Sequence, residues 1–195
     1  MGGRQCGVVA VVAVCGALVL GGCSSGGDSP SAGQAKTSTG PSLAEHAPMS
    51  YDPCTQIPKS VTDSEQIELD QASGTDNAKA HGGIEWKGCG FVSTDGDGYT
   101  VSIRTTNLTI AALRAQHFPE TQEFSVAGRN AISTRQFDDP AHIKDACTLN
   151  VEMRGGTIEF NVLNPASAKR TGDIDSCQIA KTLGGKVVPT MPANA

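Results

Sequence analysis

Apolar and polar residues alternate in three pairs of short segments, and each pair predicts a β-hairpin. The pairs are residues 84–92 with 99–105, residues 124–126 with 131–137, and residues 147–154 with 157–163. Two of the connections are glycine-rich turns, Asp95-Gly96-Asp97-Gly98 and Gly155-Gly156. Because consecutive strands joined by short turns run in opposite directions, the three pairs predict an antiparallel β-sheet.

Two further segments place apolar residues at helical spacing. The first follows Asn107, which we expect to cap a helix that Pro119 ends. The second begins at Asp173 or Asp175, and Gly184-Gly185 is expected to weaken or end it. Both helices can cover the apolar face of the sheet.

The rest of the domain has weaker signals. Tyr51-Asp52-Pro53-Cys54 predicts a helix entry or a turn, and residues 61–83 are polar without a sustained period, which predicts short helix or loop. The fold class is therefore α+β, an antiparallel β-sheet flanked by helices.

The chain begins with the layout of an export signal. Arg4 precedes an apolar run over residues 7–20, which is shorter than the roughly 20 apolar residues of a membrane-spanning helix. Leu20-Gly21-Gly22-Cys23 follows, and it resembles the lipobox of bacterial lipoproteins, in which the cysteine receives a diacylglyceryl group and cleavage falls before it. We expect residues 1–22 to be a lipoprotein signal peptide and Cys23 to be lipidated. An ordinary signal peptide cleaved near a cysteine is the alternative.

A polar segment separates this cysteine from the domain. Residues 23–43 are rich in Gly, Ser, Thr and Pro, a composition that cannot bury enough apolar surface to fold. We expect a flexible tether there and a single α+β domain over residues 44–195. These features predict a protein held by its lipid on the extracytoplasmic face of the cell membrane.

Charge limits the partners. The chain has 15 basic and 20 acidic residues, a net charge of −5, and its only charged residue before Cys23 is the basic Arg4. An acidic surface does not gather nucleic acid and is repelled by anionic headgroups, so attachment to the membrane depends on the lipid.

Four cysteines remain after the export signal and Cys23 are set aside: Cys54, Cys89, Cys147 and Cys177. An even number in an exported chain predicts two disulfides, and three pairings are open. We favour Cys54–Cys89 with Cys147–Cys177, because each bond then closes one half of the domain. A zinc site is disfavoured because no C-x-x-C pair exists.

The chain has no recognisable catalytic set. The four histidines, His46, His81, His117 and His142, are scattered without an H-E-x-x-H motif, and there is no G-x-S-x-G or phosphate loop. Asp95-Gly96-Asp97-Gly98 lacks the further oxygen ligands of a calcium loop and predicts a plain turn. We expect no catalytic residue, metal or cofactor.

Several short motifs occur in a characteristic order: Asp52-Pro53-Cys54, Trp86-x-x-Cys89, Val126-Ala127-Gly128 with Ala131, Cys147 opening a strand pair, and Asp175-x-Cys177. Across about residues 50–190 this order resembles a family of actinobacterial secreted lipoproteins whose domain is of unknown function. The resemblance implies a cell-envelope lipoprotein with two disulfides, and it supplies no catalytic residues. The layout is also similar to the folds of the photosystem protein PsbP and the nuclear import factor Mog, although fold alone does not give function.

Three functions compete. The first is a non-catalytic interaction module that docks envelope proteins or cell-wall components. The second is a carrier or sensor that holds a small or lipidic ligand between sheet and helices, in a pocket lined by some of Trp86, Phe91, Ile103, Phe137, Val151 and Phe160. The third is an enzyme of an unfamiliar kind, which would need an acidic residue and a histidine in one cleft.

Overall fold

The computed structural model describes residues 42–72 and 75–195. The predicted signal peptide, Cys23 and nearly all of the predicted tether lie outside the described residues. Within them, eight strands form one antiparallel sheet with the order β1-β3-β4-β8-β7-β6-β5, and β2 also pairs with β3. The strands are β1 (Ile67–Leu69), β2 (Ala78–Lys79), β3 (Glu85–Ser93), β4 (Thr100–Thr106), β5 (Gln122–Val126), β6 (Arg129–Arg135), β7 (Ala146–Met153) and β8 (Gly156–Leu163).

The three predicted hairpins are confirmed as β3–β4, β5–β6 and β7–β8. The turn of the second consists of Ala127 and Gly128, both with positive φ, as a type I′ hairpin turn requires. In the third, Gly156 lies so close to β4 that an added Cβ would be 2.0 Å from the carbonyl oxygen of Thr106. Glycine at this position therefore allows the strands to approach.

The described helices are α1 (Pro53–Gln56), α2 (Lys59–Glu65), α3 (Ile110–Arg114) and α4 (Ser176–Val187). Asp52 caps α1 and Asp175 caps α4, each through a carboxylate oxygen that accepts a backbone N–H. Of the two expectations for Gly184-Gly185, that they weaken or end α4, the second is wrong, because the helix continues to Val187. Gly184 is needed for packing: a Cβ there would lie 2.8 Å from Leu149.

The predicted cap of α3 is also wrong. Thr109, and not Asn107, caps α3, with its hydroxyl accepting the N–H of Ala112 at 3.1 Å. Asn107 is instead used for long-range contacts, which are described below.

The main core lies between one face of the sheet and α4. Ile103, Leu149 and Phe160 face each other across β4, β8 and β7, and all three are fully buried. Leu183 and Val187 of α4 belong to the same cluster. Burying side chains of this size stabilises a domain by about 1.5–3 kcal/mol each, so this layer dominates the stability.

Short elements that the sequence did not resolve complete the sheet. β1 and β2 are only three and two residues long, and both pair with the same side of β3. In the part of the chain that the structure describes, no helix is both long enough and apolar enough to cross a membrane.

Candidate functional site

Two disulfides join the helices to the sheet. Cys54–Cys89 connects α1 to β3, and Cys147–Cys177 connects β7 to the first turn of α4, with Cα–Cα distances of 5.3 and 5.0 Å. The favoured pairing is confirmed. Each bond therefore ties one helix covalently to the sheet.

The opposite face of the sheet carries a buried charged cluster. The side chains of Arg104 and Glu159 lie on neighbouring strands in register, and they are 15% and 6% exposed. The guanidinium of Arg104 donates to Glu159 Oε1 through Nε at 3.2 Å and through a terminal nitrogen at 2.5 Å. Charge-assisted hydrogen bonds of this kind are strong, and removing either partner would leave the other as an unpaired buried charge.

Two more side chains complete this cluster. Trp86 donates its indole N–H to Glu159 Oε2 at 3.1 Å, and its ring lies 5.5 Å from the guanidinium carbon of Arg104. Asp76 accepts from Arg104 at 3.3 Å. Both oxygens of Glu159 are thus occupied by donors, so the arrangement suits a structural role: it fixes β3, β4 and β8 to each other and to the segment that contains Asp76.

Asn107 joins the start of the domain to the sheet. Its amide nitrogen donates to the carbonyls of Ala44 and Gly83, and its oxygen accepts the N–H of Glu85 at 2.9 Å. Because Ala44 also donates its N–H to the Asn107 carbonyl, the described chain begins at a fixed position beside α3. No sequence signal distinguishes this asparagine from a helix cap, since its partners are 22 to 63 residues away.

A groove of about 580 Å³ runs between β5, the end of β6 and the start of α4. Arg135 lies in its floor and donates to Asp175 at 2.7 Å, to Glu120 at 3.1 Å and to the Ser176 hydroxyl at 3.3 Å. The Cys147–Cys177 disulfide borders the groove through Cys177. The sequence did not single out Arg135, because its partner Asp175 is 40 residues away.

Asp175 is held in its charged form. Burial alone would raise its pKa, but hydrogen bonds from Arg135 and from the Cys177 amide outweigh burial and keep the pKa below its ordinary value. A carboxyl group whose pKa is lowered by folding stabilises the native state above its unfolded pKa, and that contribution disappears as the pH falls through the folded pKa.

We therefore expect the stability of Asp175→Asn to depend less on pH than that of the unchanged chain between about pH 5 and pH 2. The variant should be less stable at pH 7 and approach the unchanged chain in acid. Urea unfolding at a series of pH values measures this. If the free energies of unfolding of the two proteins changed with pH in the same way, the lowered pKa of Asp175 would be contradicted.

A second groove, of about 420 Å³, adjoins the other disulfide. Pro48, Met49, Tyr51 and Pro53 form an apolar wall, and Lys87 lies on the strand opposite. Met49 is 83% exposed, the largest exposed fraction of any large apolar side chain among the described residues. This groove has room for an apolar group.

The six residues of the predicted pocket are divided among three environments. Phe91, Ile103, Val151 and Phe160 lie in the main core with 0–3% of their surface exposed. Trp86 packs on the opposite face beside Leu108, Ile110 and Ile132, and borders a groove of about 300 Å³. Phe137 is 39% exposed in the segment after β6. The existence of a ligand pocket stays a prediction.

The acidic turn 95–98 is a hairpin connection with ion pairs. Asp95 accepts from the Ser93 hydroxyl at 2.6 Å and from Arg170, and these bonds hold its pKa well below the ordinary value. Asp97 pairs with Lys169 at 3.3 Å. Among the described residues, no group of three or more His, Cys, Asp or Glu side chains could hold a metal ion.

The molecule is thus a disulfide-bonded α+β domain with surface grooves at both bonds. Comparison with known families shows which domain this is: residues 18–190 match the family described as protein of unknown function DUF3558, and the chain belongs to that family. No curated protein and no solved structure matches the chain. The likeness to PsbP and Mog therefore stays a prediction.

Proposed function

We propose that this protein is a cell-envelope lipoprotein, anchored by Cys23 to the extracytoplasmic face of the membrane, whose domain acts as a non-catalytic interaction module. Envelope proteins are the partners that the proposal favours. The lipobox pattern and the Gly, Ser, Thr and Pro-rich segment support the anchor, and membership of DUF3558 over residues 18–190 is compatible with it.

One observation carries the choice of an interaction module: the space between sheet and helix is filled. Ile103, Phe160 and Leu183 are fully buried in one cluster, which leaves the grooves at the surface for recognition. Protein interiors of this kind are close-packed, so a ligand between sheet and α4 would have to displace these side chains.

The anchor gives a first prediction. The mature protein is expected to begin at a lipidated Cys23 and to partition into the detergent phase, because acyl chains add about 0.8 kcal/mol of membrane affinity per buried CH₂. Cys23→Ala should retain residues 1–22 without lipid. Intact-mass spectrometry of both proteins measures this, and a mature chain with an unmodified Cys23 would contradict it.

The interaction role is tested by cross-linking on intact cells of a bacterium that lipidates exported proteins. The chain is expected to form one dominant cross-linked product with a second envelope protein. A variant that keeps Cys23 but lacks residues 24–41 serves as the control, and we expect it to lose that product because the domain can no longer reach its partner. Absence of any specific product with the unchanged chain would refute the interaction module.

The second candidate is a carrier for a small amphiphile, and one observation favours it. The groove beside Cys54–Cys89 has an apolar wall with Met49 exposed, and no hydrogen bond or ion pair of the Lys87 ammonium occurs among the described residues. An apolar group with an anionic end would suit this lining. Met49→Glu should abolish such binding and leave the cross-linked protein product unchanged.

A further inference from the structure

The outer edge of β5 has unpaired backbone groups. Among the residues that the structure describes, β5 is the last strand of the sheet and pairs only with β6. A two-residue turn is closed by a hydrogen-bonded pair, here Val126 with Arg129, and hydrogen-bonded and non-hydrogen-bonded pairs then alternate. Glu123 and Ser125 therefore belong to non-hydrogen-bonded pairs, and their N–H and C=O groups point away from β6. Within the described residues these groups have no partner.

This edge differs from the opposite one. There, β1 and β2 are three and two residues long, which interrupts the edge. β5 is continuous over five residues, with no proline and no bulge in its pairing with β6. Short strands, prolines, bulges and charged side chains are the usual protection of an exposed edge. Of these, β5 has only charged side chains, Glu123 on the strand and Lys181 beside it.

The groove described above lies directly beside this edge. Gln122 of β5 and Lys181 of α4 both line it, and the Lys181 ammonium donates to Gln122 at 2.9 Å. The same ammonium lies 4.6 Å from the centre of the Phe124 ring. A strand added to β5 would therefore have alternate side chains over this groove, and the others over the Arg114–Glu123 ion pair on the opposite face.

We propose that the β5 edge binds an extended segment of a partner polypeptide by strand addition, with an acidic side chain of that segment facing Lys181. Backbone hydrogen bonds to Glu123 and Ser125 supply affinity, and the groove supplies selectivity. The acidic preference follows from charge, since within the described residues Lys181 has no carboxylate partner. This inference rests on the proposed interaction module and names its docking surface.

Two other occupants fit less well. A second copy paired through β5 would bring the Lys181 ammonium groups of both copies to the same side of the joined sheet, where like charges repel. Residues 23–41 of the same chain consist mainly of Gly, Ser, Thr, Pro and Ala, with none of the larger β-branched and aromatic residues that favour strands.

The test uses the complete mature protein and a displayed library of randomised ten-residue peptides. Selected peptides are expected to slow hydrogen exchange at the Glu123 and Ser125 amides and to carry an Asp or Glu. Ser125→Pro removes an outward-pointing donor that the sheet itself does not use, so we expect it to fold and to bind at least 10-fold more weakly. Ser125→Ala keeps that donor and should bind like the unchanged protein.

A second arm does not depend on the folding of a variant. N-methylation of the peptide residue whose N–H faces the Ser125 carbonyl should abolish binding to the unchanged protein, whereas N-methylation of the next residue, whose N–H faces away from β5, should not. Lys181→Gln should weaken the binding of peptides that carry the acidic residue. It should leave unchanged the binding of the same peptides with Asn or Gln in place of that Asp or Glu.

Several results would overturn strand addition. These are failure to select any peptide, selected peptides that do not slow the two amides, and equal binding by the proline and alanine variants. Slow exchange of both amides before peptide is added, with a Ser125→Pro-sensitive dimer, would assign the edge to a second copy. Slow exchange of the same two amides in a monomer without peptide would mean that another segment of the same chain covers the β5 edge. If cells expressing Ser125→Pro still yield the full cross-linked product, strand addition fails while the interaction module stands.

Discussion

Glu159→Ala is expected to destabilise the domain by about 3–5 kcal/mol, because it leaves the buried guanidinium of Arg104 without its main partner. The indole N–H of Trp86 loses its acceptor in the same variant. The cost of an uncompensated buried charge is larger than the net benefit of the pair itself. Urea or guanidinium unfolding of the mature chain measures the difference in free energy of unfolding.

Two controls make this prediction specific. Glu123→Ala removes a glutamate on the same face of the sheet. Because the ion pair of Glu123 with Arg114 is about half exposed, the free energy of unfolding should change little. Replacing both Arg104 and Glu159 with leucine should recover much of the lost stability, because burying two apolar side chains carries no penalty for desolvating a charge. A double variant as unstable as Glu159→Ala would contradict the account, as would a Glu159→Ala protein of unchanged stability.

Loss of the Cys147–Cys177 bond is the second large effect that we expect. The two cysteines are separated by 30 residues, and in the chain-entropy account a loop of this size contributes about 3–4 kcal/mol. The bond also fixes the first turn of α4, where Asp175 caps the helix and binds Arg135. Replacing both cysteines with alanine avoids leaving a buried free thiol and should lower the free energy of unfolding by that amount.

The other disulfide is the matched comparison. Cys54 and Cys89 are separated by 35 residues, so the entropic contribution is nearly the same. The α1 helix that it holds is only four residues long, and we expect its replacement to expose the 48–55 segment without loosening α4. Hydrogen exchange of α4 amides distinguishes the two variants. A loss below about 1 kcal/mol for the Cys147 and Cys177 double variant would contradict the prediction.

The hairpins could be predicted because their signals are local. For the disulfides the sequence leaves three pairings open, since cysteines 30 and 35 residues apart carry no local signal that selects a partner. Alternation over 147–154 and 157–163 with two glycines between them specifies a strand pair almost regardless of context. β1 and β2 could not be predicted, since three- and two-residue strands show no period. They form because β1 and β2 pair with the edge of β3 that β4 leaves free.

The polar contacts of the site depend on register between distant strands. Arg104 and Glu159 each look like a solvent-facing residue of an alternating strand, and only the β4–β8 register brings them together. Asn107 has the local signature of a helix cap, but tertiary contacts with Ala44 and Gly83 take its amide instead. A local sequence pattern therefore cannot distinguish a buried charged pair from two solvent-facing residues, or a tertiary asparagine from a helix cap.

Native mass spectrometry of the domain, residues 44–195, distinguishes an interaction module from a carrier. For an interaction module we expect a bare mass four hydrogens below that of the fully reduced chain, because two disulfides are present and no small ligand is carried. A stoichiometric additional mass that is lost on denaturation would contradict the interaction module and favour a carrier.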